Sequence, residues 1–116
     1  MSNFRFGEDI TVCDTERLEA FLMDRTDRIA RADRGSDERM VARSVRAALR
    51  QHVVTIQHCF SFPAEGAGPQ ELIRWKVMLS WNSLCVLASP WLGHEGYDRE
   101  RWTSVKTWGR PVGTSR

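Results

Sequence analysis

The chain has 116 residues, 41% of them hydrophobic and 28% charged, with a formal net charge of +2. That length suits one domain with a modest core of its own, and so small a charge is no argument by itself for nucleic acid. Its three cysteines form no CxxC pair and are odd in number, which argues against a secreted disulfide framework and for a reducing cytosol.

Residues 1–13 form an N-terminal arm without a clear period. MSNFRFGEDI carries early acids and no apolar run, so no secretory signal is expected. ITVC is short and extended in character, but the sequence offers no second strand for it, so it reads as coil.

Asp14 or Thr15 is the expected cap of a first helix. Leu18, Phe21, Leu22, Arg25 and Ile29 follow at helical spacing. Glu16, Arg17, Glu19, Asp24, Asp27, Arg28 and Arg31 form a solvated opposite face. DRGSD ends the helix, with Gly35 suited to a left-handed C-terminal position.

Ser36 or Asp37 caps a second helix running to about Cys59. At 100° per residue, Val41, Val45, Ala48, His52, Ile56 and Cys59 fall on one side. Arg39, Arg43, Arg46 and Arg50 fall almost opposite. FSFPAEGAGPQ is a loop, and its Pro69 suits the first turn of the next helix.

The third helix, about 70–89, has no polar side. Leu72, Ile73, Trp75, Val77, Met78, Leu79, Trp81, Leu84, Val86 and Leu87 cover nearly every direction about its axis. Such a rod needs cover all round, from the C-terminal segment or from a second chain. Pro90 ends it, and a turn follows through Gly93 and Gly96. Asp98 is placed to cap a short helical piece containing Trp102. The helical domain thus spans 14–104, and a basic tail, 105–116, is expected to fray, with Trp108 able to pin part of it.

No catalytic set assembles. His52, His58, Cys59, Cys85 and His94 are ligand types without zinc-frame spacing, and His52 reads as a core histidine. A Cys59 thiolate with His58 or His94 competes with inert packing. There is no phosphate cradle and no nucleophile elbow. The chain reads as non-enzymatic, with no metal and no cofactor. No run of about 18 apolar residues exists to span a membrane.

Two surfaces remain. The four arginines of the second helix could hold phosphates or an acidic protein face; the competing reading is a solvated face neutralised by acids on a neighbouring helix. Trp91, His94, Tyr97 and Trp102 could line a groove, but the third helix needs cover, so they read as a clamp that closes the fold.

The segment LEAFLMDRTDRIA (18–30) matches an opening of the type LxxFLxxRxxx, and VLASPWLGHEGYDRERW (86–102) matches a close of the type VLxxLAxPYxxHPxYxxxW. In these, and in QHVVTIQHCF, the chain resembles a family of small actinobacterial and actinophage proteins assigned to a domain of unknown function. DRGSD stands where that family carries a strand-forming insert, so the resemblance implies a reduced, all-helical relative of actinobacterial or phage origin, and no activity.

The sequence therefore predicts an all-α three-helix bundle with an aromatic C-terminal extension. It predicts a cytosolic interaction protein that binds a host or self protein, as an inhibitor of a host system would. The partner-binding residues are Arg39, Arg43, Arg46 and Arg50 with Trp75 and Trp81, and a homodimer through 70–89 is one form of this. The alternative is a nucleic-acid-binding module using the same arginines, with Lys106 and Arg110 in support.

Overall fold

A computed structural model describes residues 6–31, 36–61 and 70–109. Among these, three α-helices carry the fold: α1 (Val12–Ala30), α2 (Asp37–Ser61) and α3 (Gln70–Ala88). Short 3-10 turns lie at Gly7–Asp9 and Ser89–Trp91. The chain is an all-α three-helix bundle. No described helix is long and apolar enough to cross a membrane.

Helix α1 begins earlier than expected. Thr11, in extended geometry, is its N-cap, and Asp14 is the N3 partner of a reciprocal capping box. Thr11 Oγ1 accepts the Asp14 N–H at 3.1 Å, and the Asp14 carboxylate accepts the Thr11 N–H at 3.2 Å. Val12 and Cys13 are therefore helical rather than coil. An aspartate can serve as cap or as reciprocal acid, and the sequence alone left the two uses equivalent.

At α2, Ser36 is the cap: its Oγ accepts the Arg39 N–H at 3.2 Å. Gly35 and Pro69 lie outside the described residues. α2 packs against both neighbours, while α1 and α3 touch each other little. The opening between α1 and α3 is filled by residues 91–108.

That filling explains how the chain leaves α3. The helix closes at Ala88, and Pro90 sits inside the 3-10 turn. Gly93 and Gly96 take φ of +88° and +90°, the left-handed region that glycine enters without a Cβ clash. Asp98 Oδ1 then accepts the N–H groups of Glu100 (3.2 Å) and Arg101 (3.0 Å). It caps a single turn and not the expected helical piece. The backbone must extend beyond it, because Trp102 enters the core and the Thr103 carbonyl accepts the Trp81 indole N–H at 2.9 Å. Next, the Asn82 amide clasps Val105, donating to its carbonyl and accepting its N–H, each at 2.8 Å.

The arm and the start of the tail hold each other. Phe6 and Thr107 form an isolated parallel bridge. The N–H groups of Gly7 and Glu8 donate to the carbonyls of Thr107 (2.9 Å) and Trp108 (2.8 Å). Residues 105–109 are therefore tied down rather than frayed. Ile10, Leu18, Leu22, Leu49, Val53, Ile56, Val77, Trp81, Leu84, Trp102 and Val105 form one buried cluster.

Candidate functional site

The aromatic clamp gathers around Phe21 of α1. Its ring lies 6.3 Å from Trp91, 5.8 Å from Tyr97 and 5.0 Å from Trp102, mostly edge to face. Tyr97 also meets Trp102 at 5.2 Å. Edge-to-face contact places the positive ring edge on the negative face and adds to the gain from burial. His94 is exposed on the turn; its N–H donates to the Trp91 carbonyl, and its own carbonyl accepts the Tyr97 N–H. Its backbone shapes the clamp, and its side chain stands outside the ring cluster.

Polar ties hold the clamp in register. Arg25 Nη2 donates to the Glu95 carbonyl at 2.7 Å while its guanidinium lies 5.1 Å from the Phe21 ring centre. Arg17 pairs with Asp98 at 3.3 Å. Arg101 grips the buried Asp14 with two bonds, Nε to Oδ1 at 2.8 Å and Nη2 to Oδ2 at 3.0 Å. Burial would push the Asp14 carboxyl up; the hydrogen bonds from Arg101 and Thr11, with the Arg101 charge, outweigh it and hold the group below its ordinary 3.8. Sequence reasoning marked Asp14 as a candidate cap but missed its tie to Arg101, and it missed Phe21, Arg25 and Arg101 as anchors. The Phe21–Arg25 pair, one turn apart on one face, left a signal.

The arginine stripe does not survive as a uniform track. Arg46 is half-buried and reaches Asp27 of α1 at 3.3 Å, and Arg31 holds the other oxygen of that carboxylate at 2.8 Å. The neighbouring helix supplies a neutralising acid, which α2 itself carries only at its start, in Asp37 and Glu38. Arg39 is half-buried. Arg43 and Arg50 are exposed, with no ion pair among the described residues. Lys106 is exposed, and Arg110 lies outside the described residues.

The metal and thiol candidates are scattered. Among the described residues, no three His, Cys, Asp or Glu side chains converge. His52 Nδ1 lies 3.3 Å from the hydroxyl of buried Ser80. Burial pushes the Cys85 thiol up to about 12. Burial also raises Cys59, against the lowering charge of Lys76. Neither is poised as a thiolate near neutral pH.

What stands out is an apolar face left uncovered. The C-terminal segment covers only one side of α3. Trp81, placed by sequence reasoning among partner-binding residues, is 0% exposed and belongs to the core. Trp75 is 53% exposed, in line with Leu72 (45%), Leu79 (49%) and Val86 (65%). These four share one helical stripe.

Beside the stripe runs an edge of α2 that the sequence pattern marked as its buried seam. Of that seam the helix buries Ile56 and packs Cys59 against the core, but its buried face, Ala42, Leu49, Val53 and Ile56, is turned by roughly a quarter of a circle at 100° per residue. Val41 is 60% exposed, Val45 and His52 are half-buried, and Ala48 is open. The apolar sector of α2 is wider than its two neighbours can cover, so one flank stays outside.

Two adjoining hollows lie along this face. One, of about 520 Å3, is walled by Thr26, Ile29, Val41, Ala42, Val45, Val86, Leu87 and Trp91, with Asp37 and Glu38 among its lining residues. The other, of about 360 Å3, is walled by Ala48, His52, Leu79, Asn82, Ser83, Val86 and Leu87. Val86 and Leu87 are common to both, so the hollows form one groove between α2 and α3.

No family profile, curated protein or solved structure matches this chain.

Proposed function

We propose that this chain is a small interaction protein of the cytoplasm that acts by holding a protein partner against the α2–α3 groove. The carrying observation is the uncovered stripe of Leu72, Trp75, Leu79 and Val86 beside Val41. Contiguous exposed apolar surface of this extent is uncommon on soluble chains and marks contact sites. A large aromatic at its middle suits an anchor residue. The closing motif supports an actinobacterial or phage setting, in which a host protein is the target and inhibition is the outcome.

A nucleic-acid reading has less support. It rests on Arg39, Arg43, Arg50 and Lys106, because Arg46 is engaged with Asp27.

The test is capture from an actinobacterial lysate by the immobilised chain, with and without nuclease. Proteins held through an apolar groove stay bound at high salt and are lost with Leu79→Glu. Capture that vanishes with salt or nuclease, and follows Arg43→Glu with Arg50→Glu instead, overturns the proposal in favour of phosphate binding.

A further inference from the structure

We infer that the occupant of this face is a second copy of the chain, docked antiparallel along α3 about a two-fold axis at Leu79. The inference rests on the proposed reading of the groove as protein-binding and names the partner.

The first argument is the spacing of the stripe, which is symmetric about Leu79. Leu72 and Val86 lie seven residues to either side, and Trp75 and Ser83 lie four to either side. Reversing a second copy at that centre sets Leu79 beside Leu79 and Leu72 level with Val86. It also sets the Trp75 indole level with the small Ser83, large against small. A two-fold interface demands such self-complementarity, since each contact occurs twice; a foreign partner demands no symmetry at all.

None of these five residues is ionisable, so no like charges meet at the axis. Lys76, exposed one turn from Leu72 and Leu79, lies level with the uncharged Asn82 of the reversed copy.

Area agrees. Fully covered, the stripe with Val41 removes on the order of 500 Å2 per copy, so two copies reach at most about 1,000 Å2, the floor of a specific interface, and the rest must come from the flank of α2. The same docking stacks α2 and α3 of both copies as a four-helix arrangement. The Val41–Val45–Ala48 flank of α2 then also leaves water, which accounts for its apolar character.

Sedimentation equilibrium on the purified chain should read twice the 13.4 kDa chain mass at micromolar concentration. Leu79→Glu and Leu79→Lys should each read the single-chain mass with unchanged helical circular dichroism, because Leu79 is half exposed and outside the core. Like charges meeting at the axis weaken self-association by about 100-fold or more. Mixing the two variants should restore a dimer, since opposite charges then face each other. If Leu79→Glu loses helicity, Trp75→Ala gives the same reading from a second exposed site.

A wild-type chain that stays single overturns the inference. So does a dimer that survives Leu79→Glu, or a mixture of the two variants that stays single. The two readings fail separately. A single chain that still captures a protein from lysate, and loses it with Leu79→Glu, overturns self-pairing and leaves the interaction function standing. A single chain whose capture ignores both Leu79→Glu and Trp75→Glu overturns both.

Discussion

Asp14→Ala removes a buried carboxylate that joins the start of α1 to the C-terminal segment. That carboxylate accepts four hydrogen bonds, from the Thr11 N–H and hydroxyl and from Nε and Nη2 of Arg101. Thr11 stays as the N-cap, so loss of the N3 half of the capping box costs about 0.5 kcal/mol, the low end for a cap, and loss of the charged bonds from Arg101 costs about 1.5–3 kcal/mol. The Arg101 side chain is 32% exposed and rehydrates in the variant, so the lower end applies. The sum, about 2 kcal/mol, lowers the melting temperature by roughly 6–10 °C in a domain of this size.

A double-mutant cycle with Arg101→Ala, read by urea unfolding, isolates the tie at about 1–2 kcal/mol of coupling. The pH dependence has a fixed sign. Burial raises the Asp14 carboxyl, but its hydrogen bonds and the Arg101 charge bring the folded value below 3.8. Its stabilisation is therefore fully present above the unfolded value and is lost as pH falls through the folded one. The gap between wild type and Asp14→Ala should persist from neutral pH to about 4.5 and shrink only in stronger acid. A coupling within about 0.3 kcal/mol of zero, or a gap that closes near neutral pH, refutes the reasoning.

Three further outcomes are expected. Gly7→Ala places a Cβ 2.6 Å from the Trp108 ring and 2.9 Å from Met78, so it should cost about 1–3 kcal/mol by overpacking; unchanged stability in denaturant would mean the arm does not sit under Trp108. Trp81→Phe leaves a void and removes the indole N–H that donates to the Thr103 carbonyl, at about 2–4 kcal/mol by thermal or chemical unfolding; a loss under about 0.5 kcal/mol, the range of a surface site, would contradict its enclosure. With a thiol reagent at mildly alkaline pH, exposed Cys13 should react first, and Cys85, at about 12, only on unfolding; labelling of Cys85 in the folded chain would overturn its placement.

Much of the fold was legible because helix periodicity and breakers are local properties. Ser36, Pro90, Gly93 and Gly96 act within a turn of themselves, and the all-round apolar character of residues 70–89 could be read without knowing any neighbour. The need for cover over that helix followed, and so did the use of Trp91, Tyr97 and Trp102 to close the bundle.

Other features depended on which chain segment lies alongside. Asp14 was one of two candidate caps until Thr11 and Arg101 reached it from either side. Arg46 belonged to an open stripe until Asp27 of α1 came within reach. Trp75 and Trp81 are near-equivalent in sequence, yet one meets water and the other is sealed.

What the sequence determined alone is the class of fold, three helices with an apolar third, because hydrophobic pattern and capping are written residue by residue. The tertiary structure decided which of those apolar sides the C-terminal segment covers and which flank of α2 stays open. Burial depends on how far each neighbour reaches, and a helix whose apolar sector is wider than its neighbours carries no local mark of where their cover ends.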